Sequence, residues 1–192
     1  MKARLALLAT MCVVIVLNAC GNVTNVRASL PTSVDTLSVW ALSGTPPSYP
    51  SAISIAARQV VRVDGFAAFD VALDIDGSGN AVIYPVKLVV ATPGGARPVG
   101  MQKVSGTFET VIEAPKAGFE TDSALVMSRG EVVVVQSPHN GSGDICQFAI
   151  SPDLYAKITV DSVNLASRTL FLRMGFDPNC GFRSFATGIP TS

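Results

Sequence analysis

"FDVALDIDGSGNAVIYPV", residues 69–86, decides how this chain folds. Its middle reads in two ways. Asp74, Asp76 and Ser78 fall at the first, third and fifth positions of a calcium loop, with a glycine next to them for the sharp turn. The same letters describe the end of one β-strand and the start of another. A helix-loop-helix calcium site needs a bidentate carboxylate at its twelfth position, which here is Pro85. To the left, Phe69, Val71, Leu73 and Ile75 alternate with Asp70, Ala72 and Asp74, the period of a strand. To the right, "AVIYPVKLVV" (81–90) is a β-branched apolar run whose Pro85 suggests an edge position or a bulge. The flanks therefore pair antiparallel across "DGSGN", with glycines supplying the positive φ that such a turn needs. On this reading the aspartates are the solvent-facing phase of the first strand. A cation held by Asp74, Asp76 and Ser78 is the weaker alternative, kept open because three carboxylates crowd one stretch.

Outward from this hairpin, alternation continues. Strands are expected at 35–42, 52–57, 59–64, 106–114, 123–128, 131–136, 145–150, 155–163 and 168–176, the last two joined as a hairpin by "NLAS". Turn-forming stretches such as "SGTPPSYPS", "TPGGARPVG", "SPHNGSGD" and "DPNCG" separate them. No helical period is sustained, and a turn of helix is expected only near 114–119. The fold class is all-β, an antiparallel β-sandwich over residues 34–192, with an up-and-down barrel of lipocalin-like type as the alternative. "VVVV" at 132–135 is apolar on both faces and must be covered on both.

Composition agrees with a packed body. Hydrophobic residues make up 48% of the 192 and charged residues 15%, so the chain can bury a core. Formal charge is zero and the basic residues form no run, which argues against a nucleic-acid partner.

The N-terminus carries a different signal. Lys2 and Arg4 precede an apolar stretch from Leu5 to Leu17, which is too short to span a bilayer, where about 20 residues are needed. It ends in Leu17-Asn18-Ala19-Cys20. This segment resembles bacterial lipoprotein precursors, whose lipobox places Leu three residues before the modified cysteine and a small residue just before it. The resemblance implies removal of residues 1–19, a diacylglyceryl thioether and an acyl chain such as palmitate on Cys20, and residues 20–33 as a flexible tether. By the same resemblance Gly21, in place of Asp, directs the protein to the outer membrane. An ordinary secretory signal is the alternative, and Leu17 suits it poorly. Two or more acyl chains hold a protein on a membrane durably.

Cysteine usage follows from that setting. With Cys12 removed and Cys20 lipidated, Cys146 and Cys180 form one even pair in an exported chain, and a disulfide is expected. The competing zinc reading lacks ligands, since His139 is the single histidine.

Candidate chemistry is sparse. His139 lies in a turn-rich loop with no nucleophile elbow nearby, so a solvated loop histidine is expected and a catalytic one is not. "GGARPVG" (94–100) lacks the Lys-Ser/Thr of a phosphate loop. No cofactor is expected. Among aromatics, Trp40 is assigned to the core, Phe182 and Phe185 to the surroundings of the disulfide, and Tyr49 to an exposed contact. The functional expectation is a non-enzymatic, membrane-anchored accessory or binding module for a protein or glycan partner. A carrier of an apolar ligand is the alternative, and a carboxylate-dependent hydrolase a weaker one.

Overall fold

The structure is a computed structural model that describes residues 27–65, 68–90, 97–139, 141, 143–147, 149 and 151–191. Cys12, Cys20, the first part of the tether and residues 94–96 lie outside the described residues. Among the described residues, ten strands form two antiparallel five-stranded sheets: β1 (Ser33–Trp40), β2 (Ala52–Ser54), β3 (Gln59–Val61), β4 (Val71–Ile75), β5 (Ala81–Pro85), β6 (Gly100–Val104), β7 (Leu125–Met127), β8 (Val132–Pro138), β9 (Asp153–Asn164) and β10 (Thr169–Asp177). The first sheet runs β1-β10-β9-β8-β6 and the second β3-β2-β4-β5-β7. The sheets face each other as a sandwich and do not close into a barrel.

The deciding stretch is a hairpin. β4 and β5 pair in register from Val71↔Pro85 to Ile75↔Ala81. Gly79 holds φ at +84°, and Asp76 Oδ1 accepts the Ser78 and Asn80 amides at 2.8 and 2.9 Å. Pro85, with φ fixed at −66°, is the last residue of β5, and the chain passes into a single helical turn, Val86–Val89. The expected strand to residue 90 therefore ends early.

Packing explains the long valine run. Leu37, Val39, Met101, Val133, Val135, Ile158, Leu170, Leu172 and Met174 meet Ile53, Leu73 and Ile83 across the sandwich. Val132 and Val134 point the other way, into a second cluster with Phe108, Val111, Ala114, Tyr155 and Phe185. Segments following β6 and near the C-terminus thus roof the outer face of the first sheet. Under this roof Lys157 is only 4% exposed. Its Nζ donates to the carbonyls of Phe108 and Val111 and sits 4.3 Å from the Phe108 ring centroid. Burial lowers its pKa.

Three sequence expectations need correcting. Residues 106–114 form turns, because the hydroxyls of Thr107 and Thr110 take backbone amides that a ladder would use. Residues 145–147 form a turn where a strand over 145–150 was expected: Asp144 accepts the Ile145 amide and the Cys146–Cys180 bridge pins the chain beside it. Gly118 takes φ +90° within 114–119, where a helical turn was expected. β6, which starts at the last glycine of "TPGGARPVG", was not among the expected strands.

The sandwich has two distinct ends. At one, Ser33 pairs with Phe176, Asp153 with Pro138 and Gly100 with Gln136. Here Asn179 Oδ1 accepts the Ser29 and Leu30 amides at 2.9 and 3.1 Å, and Thr32 N donates to Gly188 O at 3.0 Å. The chain is therefore held on the body from Ser29, four residues before the expected end of the tether at Ser33. At the other end Trp40 pairs with Thr169, and Arg168 bonds Asp74 and Ile75 O at 3.0 Å each.

Candidate functional site

At the Asn179 end a polar array bridges the sheets. Asp70 immediately precedes the second sheet's β4 and is completely buried; Ser137 lies near the end of β8 in the first sheet, and His139 follows it at 4% exposure. Asp70 Oδ1 accepts from Ser137 Oγ at 2.5 Å and Arg97 Nη2 at 3.0 Å, while Oδ2 accepts the Ile55 amide at 2.6 Å. Ser137 Oγ is 2.9 Å from His139 Nε2, and His139 Nδ1 is 2.8 Å from Asp144 Oδ1. Arg97 Nη1 stands 3.0 and 3.1 Å from the two ring nitrogens. Near-equal distances put it off both in-plane lone-pair directions.

Serine, histidine and carboxylate in hydrogen-bonded succession resemble the geometry of a hydrolytic triad. Proton bookkeeping separates the two. The serine hydroxyl has one proton, and at 2.5 Å the Asp70 carboxylate receives it. Ser137 Oγ is then left to accept from His139 Nε2, the reverse of the direction a nucleophile needs. Ser137 is also fully buried, and it lines neither of the two clefts described below. The array works as a lock between sheets.

Burial acts to raise the Asp144 carboxyl, but hydrogen bonds from His139 and the Ile145 amide, with the charges of His139 and Arg97, outweigh it and lower its pKa. Asp177, also at this end, is raised by burial, and its Oδ2 has no partner among the described residues. The Cys146–Cys180 disulfide stands next to the lock, with Cα atoms 5.7 Å apart, and the Cys146 amide donates to His139 O at 3.2 Å.

Two sequence expectations change here. His139 is a buried member of the lock and not a solvated loop residue, because Ser137 and Asp144 engage both ring nitrogens. Asp70 is not on a solvent-facing phase, since Ser137, Arg97 and the Ile55 amide satisfy its carboxylate inside the sandwich.

At the Arg168 end, Asp74 Oδ1 accepts from Ser43 Oγ at 2.9 Å and from Arg168 Nη2 at 3.0 Å. Asp76 spends its oxygens on the hairpin turn, where contacts to Asn80 and Ser78 lower its pKa. The structure thus does not gather Asp74, Asp76 and Ser78 around a common point; each carboxylate has a separate local task. Tyr49 is 44% exposed, as expected, and tilts against Trp40 with ring centroids 5.1 Å apart. Trp40 is half-buried at this end and is not a core residue. Phe185 packs in the second cluster, on the outer face of the first sheet, away from the disulfide it was expected to surround.

Two clefts open near this end, and Arg129 borders both. The smaller, about 280 Å³, lies between the sheets and is walled by Ala81, Met127, Val160 and Val163, with Ser162 and Arg129 at its polar side. The larger, about 630 Å³, is shallow and lined by residues 103–106 and 129–131. No sequence motif announced either, because they arise where strands of unequal length meet.

Compared with known protein families, curated proteins and solved structures, the chain matches none.

Proposed function

We propose that the protein is a non-enzymatic, lipid-anchored binding module of the bacterial envelope, carried on Cys20 in the outer membrane and meeting a protein or glycan partner through its Arg168 end. One observation carries this reading: the chain joins the β-body at the Asn179 end, where Ser29, Leu30 and Thr32 are tied to Asn179 and Gly188. An anchor upstream of Ser29 therefore turns the opposite end away from the membrane. That end carries the exposed Tyr49, the hairpin tips around residues 76–80 and 165–168, and both clefts. Arg168, Asp74 and Ser43 tie the loops after β1 and between β9 and β10 to the end of β4, so the surface is presented ready-shaped and little ordering cost is left to binding. The reversed proton order of the Ser137 array supports a binding role over a hydrolytic one. The core residues filling the space between the sheets speak against a carrier.

Two measurements test the proposal. Intact mass of the membrane-extracted protein is expected to show an acylated N-terminal Cys20, and Cys20→Ser is expected to release the protein from the membrane fraction. A photo-crosslinking side chain at position 49 is expected to capture a partner in cells, whereas one at the exposed Ile145, beside the Asn179 end, is not. An unmodified mass, or capture at 145 alone, overturns the reading.

A further inference from the structure

The smaller cleft has features that define a ligand class. β9 is longer than its neighbour β8: the ladder between them begins at Val132↔Thr159, and only the Gly130 amide reaches further, to Val160 O at 3.0 Å. Past that point β10 covers one side of β9 as far as Thr169↔Asn164, and no described strand covers the other. Val160, Ser162 and Val163 of this overhang line the cleft. A strand edge with one side unpaired offers backbone donors and acceptors to an extended chain.

Arg129 supplies the second feature. Every other arginine from Arg58 to Arg183 has a carboxylate partner: Arg58 with Asp35, Arg62 with Asp64, Arg97 with Asp70, Arg168 with Asp74, Arg173 with Asp161 and Glu109, Arg183 with Glu113. Arg129 has none among the described residues. The nearest acids in sequence and fold are already engaged, Glu131 by Lys103 and the Ser128 amide, Asp161 by Arg173. A guanidinium fork pairs with a carboxylate in two parallel bonds. The third feature is the apolar wall of Ala81, Met127, Val160 and Val163.

Free strand edge, unpaired arginine and apolar wall occur together in a cleft of about 280 Å³. That is near the lower limit of ligand pockets, which run from about 300 to 1,000 Å³. It suits the end of a chain better than its middle. We infer that this cleft binds the carboxylate end of an extended peptide with small apolar side chains, the carboxylate on Arg129 and the backbone along the β9 overhang. This deepens the proposed function, resting on the Arg168 end as the binding end, and does not depend on the lipid anchor.

The test is an NMR titration of the purified protein with N-acetyl-glycyl-valyl-valine, its C-terminal amide, and acetate. The free acid is expected to bind and to shift the Ser162 and Val163 amides. The amide is expected to bind about tenfold or more weakly, and Arg129→Gln to weaken the free acid by a similar factor, because a charge-assisted pair is lost. Arg129 is exposed, so the variant is expected to keep the wild-type spectrum elsewhere. Equal binding of acid and amide, or binding unchanged in Arg129→Gln, overturns the assignment, as does no binding at millimolar peptide. Acetate displacing the peptide mole for mole would make the ligand a small acid and overturn the peptide part. Failure here with capture at position 49 in cells would sink the cleft and leave the binding module standing. Peptide binding without capture would keep both the cleft and the Arg168 end as the binding end, and would remove only position 49 from the contact.

Discussion

Asp70 and Asp144 are carboxylates of one array, yet they differ in what their surroundings ask of them. Asp70 is completely buried and tied by three donors, so it fixes one sheet to the other. Asp144 is at the rim, its side chain 28% exposed, and its pKa is lowered against the opposing effect of burial by His139, the Ile145 amide and the charge of Arg97. A carboxyl with a folded pKa below its unfolded value, about 3.9, binds fewer protons in the folded state. Its stabilisation is therefore complete above that unfolded value and is lost as pH falls through the lower folded one. Urea midpoints are expected to show it: Asp144→Asn should lower the midpoint at neutral pH, and the gap to wild type should narrow as pH falls below about 4. A gap of constant size down to acid pH would mean that Asp144 contributes through shape and not through charge.

At the scale of elements, legibility followed periodicity. β4, β9 and β10 were readable from the alternation of their sequence and β5 from its apolar, β-branched run, with glycine or asparagine marking the turns between them. The hairpin at 76–80 makes this testable. Gly79 at φ +84° occupies a conformation that a Cβ disfavours, although the space beside it, with Leu165 at 3.5 Å, would admit one. Gly79→Ala is expected to cost about 1 kcal/mol of stability through backbone strain alone, read from the thermal midpoint. A neutral substitution would show that the turn relaxes. The failures were equally physical. At 106–114 the sequence alternates well enough for a strand, but Thr107 and Thr110 satisfy the backbone locally. β6 starts at a glycine directly after a turn-rich stretch, so its apolar content was too short to register. The lock was missed because its members come from residues 70, 97, 137, 139 and 144, which alternation alone does not bring together. One signal was present: Ser137 falls on the inward phase of the valine strand, and a polar residue there needs a buried partner. The cleft at Arg129 left no trace in the sequence, since it depends on where β8 stops beside β9.

Across the whole molecule the two ends are built by different means, and this sets how they come apart. Turn geometry and the half-buried Arg168–Asp74 ion pair organise the Arg168 end. A disulfide and the buried array hold the Asn179 end, and they share one segment: Cys146 donates its amide to His139 O at 3.2 Å, while Asp144 takes the His139 ring at 2.8 Å. The bridge, with its sequence separation of 34, contributes about 3 to 4 kcal/mol by restricting the unfolded chain. Removing the Ser137 hydroxyl leaves Asp70 and His139 each short of a partner in a buried site, which costs about 1–3 kcal/mol. If the bridge holds His139 and Asp144 in the position the array requires, opening it first removes part of what Ser137→Ala would break. Stability is then expected to be non-additive: reducing the disulfide in Ser137→Ala should cost less than the sum of the two separate losses, by about 0.5 kcal/mol or more. Hydrogen exchange reads the same coupling if the doubly weakened protein is too unstable to titrate. Reduction is expected to speed exchange at the His139 and Cys146 amides while leaving Gly79 and Asn80 at the other end unchanged. Strict additivity, together with equal acceleration at both ends, would mean that the disulfide acts only on the unfolded chain and that the lock stands without it.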